Sequence, residues 1–230
     1  MTVEPKKFWE GKILGWEQGR YGQKEKRSSV LEKLADRSSA SLRFRMEITG
    51  QLLVPHVEGK RIVEIGCGSG LLSETLLAAG AQSYIGYDIA ENAIDHASRS
   101  AAKSGFSDKA RYEVAAVSDL PDLEADLVFS LGLLDWLTDE ELKTVFKVGG
   151  SADFLHAIAE KRASLSQLIH RAYVQMAYGH KTGSYRPRYY RISEIELLLR
   201  PYTDAKLHVY RDPLLSFGAL VSSLPIEQGG

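Results

Sequence analysis

Val63-Glu64-Ile65-Gly66-Cys67-Gly68-Ser69-Gly70 closes a short apolar run on an acid and then opens into alternating glycines. Asp88 follows roughly twenty residues later. Glycine at 66, 68 and 70 allows a tight strand-to-helix turn, close approach of backbone N–H groups to a ligand, and close packing of the next helix on the sheet. Alone, such a pattern is weak, because glycine-rich turns end many strands. Here the turn follows a strand, opens a helix and is paired with an acid at the end of the next strand, which suits a ribose hydroxyl pair at the carboxyl edge of a parallel sheet. Dinucleotide folds usually read Gly-x-Gly-x-x-Gly and seat a pyrophosphate at the helix N-terminus. Glu64, two residues before the first glycine, would set a like charge against that phosphate. The turn therefore favours a cationic ligand.

Outward from this turn the chain alternates strands and helices. A helical pattern over 41–54 stops at Pro55. Strands are expected at 61–65, 83–88, 111–114, 126–131 and 153–159, with helices at 71–79 and 90–104 between the first three. Thr138 and Glu141 form a capping box for a helix through Val148, and Ser193 with Glu196 is expected to cap another that ends near Pro201. Strands at 206–210 and 217–223, joined by a turn holding Asp212 and Pro213, read as an antiparallel hairpin. The expected fold class is α/β: a doubly wound seven-stranded sheet, mostly parallel with that C-terminal hairpin, and helices on both faces.

With 230 residues, the chain is long enough for one full core, and it reads as a single domain, 1–230, with an N-terminal arm at 1–40 and a small lid insertion at 161–191. Twenty-nine basic and 30 acidic residues leave a net charge of −1, no field that argues for nucleic acid or an anionic membrane. One cysteine, Cys67, excludes an internal disulfide and fits a reducing compartment. No segment approaches a continuous apolar span, so a cytoplasmic protein, monomer or homodimer, is expected.

On residues 63–70 and Asp88 the chain resembles the class I S-adenosylmethionine-dependent methyltransferases, over about residues 43–223. The resemblance implies S-adenosyl-L-methionine as cofactor. It implies that Glu64, Gly66, Cys67 and Gly68 surround the methionyl part, that Asp88 accepts the ribose hydroxyls, and that Ile89 packs on the adenine. Leu131 stands at the usual backbone contact to the amino acid end. Where the family often carries an Asp for the adenine amino group this sequence has Ala116, which leaves adenine to the backbone of Val117, with Asp119 a second candidate. Arg45, or Arg43, stands where related enzymes place an arginine for the cofactor carboxylate; a solvated helix face is the alternative.

The acceptor is expected over the ends of strands four and five. Trp136 either lines that pocket or wedges under the following helix, and Asp135 is either a base or a cap. The lid interleaves Tyr185, Tyr189 and Tyr190 with Arg186, Arg188 and Arg191, and carries Arg171 on a polar helix face. These residues offer stacking surfaces and donors for an anionic group. Trp136, Arg171, Tyr185, Arg186 and Arg188 are the substrate candidates. His170, His180 and Tyr21 are the first candidates for a catalytic base, followed by Tyr185 and Asp135. Phe8, Trp9, Trp16 and Tyr21 make the arm costly to leave in water, so it either folds over the site or dimerises. The lid is also similar to that of magnesium-protoporphyrin carboxyl methyltransferases, but Trp136 stands about where those carry a histidine. Methyl transfer to a small-molecule oxygen on an anionic or glycosylated metabolite is the leading reading. An RNA acceptor, or a nucleotide-binding interaction module without catalysis, stays open beside it.

Overall fold

In a computed structural model, residues 4–15, 17, 30–162, 167–168 and 187–226 are described. Their elements are α1 (Pro5–Glu10), α2 (Val30–Leu53), β1 (Arg61–Ile65), α3 (Ser73–Ala78), β2 (Ser83–Asp88), α4 (Glu91–Lys103) and β3 (Ala110–Val114). They continue with β4 (Leu127–Ser130), α5 (Asp139–Gly149), β5 (Asp153–Ala159), α6 (Ile192–Leu199), β6 (His208–Tyr210) and β7 (Gly218–Ser222). One seven-stranded sheet runs β3-β2-β1-β4-β5-β7-β6. The first five strands pair in parallel, and β7 lies antiparallel to both β5 and β6. The chain order reverses between β1 and β4, which opens the crevice where ligands bind in doubly wound sheets.

Period-two alternation divides the core between the two faces of the sheet. Ile62 joins Leu53, Leu76, Tyr84, Phe129 and Leu155 on one side, while Val63 and Ile65 join Val128, Phe146, Ile158 and Ile195 on the other. Several boundaries differ from expectation. Helix α2 begins at Val30, so residues 30–40 belong to it rather than to the arm. The box at Thr138 is present as expected, with its hydroxyl accepting from the Glu141 N–H. Helix α6, however, is not started by Ser193 and Glu196. Tyr190 is held extended by its bridge to Glu160, so the helix opens at Ile192 and the Glu194 carboxylate accepts the Arg191 N–H at 2.7 Å. The lid expected at 161–191 falls largely outside the described residues.

Gly86 on β2 sits above two side chains that leave it no room. A Cβ there would lie 2.7 Å from Cys67 Sγ and 2.9 Å from Tyr112 Cδ1. His156 on β5 is a core histidine: its Nδ1 lies 2.9 Å from Ser130 Oγ, it stacks on Phe154, and burial depresses its pKa to about 3. Gly86→Ala is expected to destabilise the fold by about 1–3 kcal/mol in urea denaturation. Cys67→Ala in the same background should recover part of the loss, because the crowded sulfur is then gone.

Candidate cofactor and acceptor site

Strand β1 delivers its residues into the glycine turn, where Gly66, Gly68 and Gly70 all have positive φ, at 74, 52 and 70°. The N–H groups of Gly66 and Cys67 both donate to the Tyr87 carbonyl, at 2.7 and 3.0 Å, which ties the turn to the end of β2. Asp88 completes the tie. Its Oδ2 accepts the Gly68 N–H at 2.8 Å and its Oδ1 accepts the Ala90 N–H at 2.9 Å. Each oxygen keeps a second lone pair for a ribose hydroxyl. Ile89 is half-buried beside it, and buried Val117 opens the short turn Val117–Asp119 after β3.

Glu64 lies beneath the turn, because the alternation of β1 turns it to the Tyr84 side of the sheet, where it accepts the tyrosine hydroxyl. Burial pushes its pKa up to about 8, and the charges of Glu17 and Asp88 add to the shift. Cys67 departs from expectation in its side chain: the sulfur points inward onto Gly86 and Tyr112, so only its backbone lines the turn. Burial raises the thiol pKa accordingly.

Arg45, on α2, lays its guanidinium over Gly132, just past β4; its Nη2 is 2.8 Å from where a Cβ at Gly132 would stand. Its Nε is buried with no hydrogen-bond partner among the described residues. An arginine held at the crevice with an orphaned donor fits a carboxylate. Leu131 is partly buried at this edge, and the Leu133 side chain covers Gly66. The donor set thus suits a ligand with a ribose at one end and an amino acid carboxylate at the other.

On the acceptor side, Asp135 is buried, and its Oδ1 accepts the Ala159 N–H at 2.7 Å across the ends of β4 and β5. Burial raises its pKa to about 6, against the hydrogen bond from the Ala159 N–H and the positive charge of Arg45, both of which favour the carboxylate. Trp136 meets the rings of Trp9 at 5.2 Å, edge to face, and Phe8 at 5.8 Å. The arm therefore folds over this loop. Arg188 is corrected from an acceptor donor to a loop clamp: its guanidinium donates to the Leu137 carbonyl at 3.0 Å and pairs with Asp139 at 2.6 Å, and its N–H donates to the Asp135 carbonyl. Tyr21, His170, Arg171, His180, Tyr185 and Arg186 lie outside the described residues.

Three features escape a reading of the sequence. Glu10 places its carboxylate on the N–H groups of Glu91 and Asn92, at 2.9 and 3.0 Å. Glu17, buried, accepts the Ser69 N–H at 3.0 Å. Beyond the end of β5, Glu160 is flanked by Arg162 at 2.6 Å and Arg211 at 2.8 Å. None has a local motif: Glu10 and Glu17 meet partners more than fifty positions away, and Glu160 joins its neighbour Arg162 to the distant Arg211.

Residues 62–148 match the model of a family described as a methyltransferase domain. A stretch of 153 residues is 31% identical to a ubiquinone biosynthesis O-methyltransferase of Burkholderia pseudomallei, covering 63% of this chain and 64% of that protein. A ribosomal protein L11 methyltransferase of Alteromonas mediterranea is 39% identical over 72 residues, 31% of this chain and 24% of that one. The chain therefore spans about a quarter to just under two thirds of the curated relatives it matches. The magnesium protoporphyrin IX methyltransferase of Synechocystis, solved with S-adenosylhomocysteine bound, has the same fold, with a TM-score of 0.69 at 17% identity over 94% of this chain and 96% of that one. Residues 62–148 are thus similar to a methyltransferase domain, on a fold shared with S-adenosylmethionine-dependent methyltransferases. No described helix is long and apolar enough to cross a membrane.

Because the folded pKa of Glu64 is raised from 4.5 to about 8, the folded state holds a proton that the unfolded state has released throughout that window. Stability of the protein should fall as pH rises from about 4.5 to about 8. Chemical denaturation across this range should show a shallower decline in Glu64→Gln than in the wild type; an identical slope would remove Glu64 as its source.

Proposed function

We propose that this chain transfers the methyl group of S-adenosyl-L-methionine to an oxygen of a small anionic or glycosylated molecule. The observation that carries this reading is Asp135: a buried carboxyl at the end of β4, beside the cofactor crevice, with a pKa of about 6. A group so poised is ionised at neutral pH yet basic enough to take a hydroxyl proton. Bound cofactor would supply an electrophilic methyl group on a sulfonium. The chain's own part is alignment: Asp88 holds the ribose, Arg45 the carboxylate, and the glycine turn lets both approach the backbone. Phe8, Trp9 and Trp136 exclude water above it.

Beyond the end of β5, Arg162 and Arg211 share the Glu160 carboxylate and leave guanidinium donors over for an anionic acceptor. The oxygen acceptor is also what the name of the Burkholderia relative states for that protein. The RNA alternative has less support, given the charge balance of the chain.

The test is transfer of labelled methyl from S-adenosylmethionine to a panel of phenols, hydroxy acids and glycosides, with RNA as a separate arm. Transfer to an anionic hydroxylated acceptor is expected, with kcat rising through pH about 6 and level above it. Asp135→Asn should lower kcat by roughly 100-fold or more while S-adenosylhomocysteine still binds within about twofold of wild type. Methylation of RNA alone would overturn the acceptor class; an unchanged kcat in Asp135→Asn would remove the base.

A further inference from the structure

The glycine turn has few donors to offer a ligand. Gly66 and Cys67 donate to Tyr87, Gly68 to Asp88, and Gly70 back to Cys67. The Ser69 N–H is the remaining donor of the turn, and the arm takes it through Glu17. The same carboxylate presses on Gly68 so closely that a Cβ on that glycine would overlap its Oε1. Close approach of a ligand is what a glycine at this position permits, and a side chain of the protein itself occupies that approach.

We infer that Glu17 is an internal ligand of the cofactor turn, and that the arm is a strap which closes the crevice and must release before the cofactor is seated. The inference rests on the cofactor reading given above. Two further contacts latch the same segment. Glu10 satisfies two N–H groups at the start of α4, directly after Asp88, and the Asn92 side chain donates to the Glu10 carbonyl at 2.6 Å. Phe8 and Trp9 lie on Trp136 at the acceptor loop. The strap thus spans from the ribose end of the crevice to the acceptor end.

The position of Glu17 is electrostatically uneasy in the ligand-free state. It shares a buried region with Glu64 and Asp88, and burial together with the Asp88 charge raises its pKa. A closed strap reduces apparent affinity by the fraction of molecules that are open. Removing its carboxylate therefore tightens binding, whereas removing a true cofactor contact weakens it.

The experiment measures S-adenosylhomocysteine binding by calorimetry and stopped-flow fluorescence in wild type, Glu17→Ala and Glu10→Ala, with circular dichroism to confirm folding. The expected result is a dissociation constant at least about threefold lower in Glu17→Ala, with faster association in both variants. Unchanged or weaker binding by a folded Glu17→Ala would overturn the inference. If that variant does not fold, Glu10→Ala decides: faster association supports the strap and an unchanged rate overturns it. A wild type that binds neither S-adenosylhomocysteine nor S-adenosylmethionine would instead refute the cofactor reading itself.

Discussion

The Asp88 carboxylate, shared between the Gly68 and Ala90 N–H groups, is the constraint on which the site depends. Two charge-assisted hydrogen bonds of this kind are worth about 1.5–3 kcal/mol each. They fix the turn after β1 to the turn after β2, so the glycines, the ribose acceptor and the start of α4 form one rigid edge. Burial raises the pKa of this carboxyl, and the same two N–H groups oppose the rise. Asp88 is thus a structural staple whose carboxylate also faces the crevice edge. Gly86 belongs to the same design, because the space it leaves open is what lets Cys67 tuck beneath the turn.

Charge is divided across the crevice. Glu17, Glu64 and Asp88 converge on the cofactor turn, each with its pKa raised by burial. Arg45, Arg162 and Arg211 line the ends of β4 and β5. The buried Arg45 Nε has no hydrogen-bond partner among the described residues, which suits a carboxylate. Among the described residues Asp135 stands between the two halves, and its intermediate pKa follows from that place: deep burial on one side, the Arg45 cation on the other.

The parallel sheet, the glycine turn and the pairing with Asp88 were legible from residues 63–88, because alternation, glycine spacing and strand ends are local signals. The capping box at Thr138 was legible for the same reason. The α6 start was not, since the bridge between Tyr190 and Glu160 is a tertiary contact that overrides the local box at Ser193. Arg188 read as a free cation in sequence, and only the docking of its strand beside the β4 loop reveals Asp139 and the Leu137 carbonyl as its partners. Glu17 gave no signal at all: its significance lies in the single N–H of Ser69, fifty-two positions away. Likewise Asp135 showed its type but not its burial, and burial is what raises its pKa.

The central claim is that one ligand joins Asp88 to Arg45 across the glycine turn. A crystal structure of the chain with S-adenosylhomocysteine tests it most directly. The account predicts ribose hydroxyls on Asp88, the amino acid carboxylate on the Arg45 guanidinium, and Glu17 withdrawn from the Ser69 N–H. A ligand seated away from Asp88 and Arg45, in an otherwise unchanged fold, would contradict it.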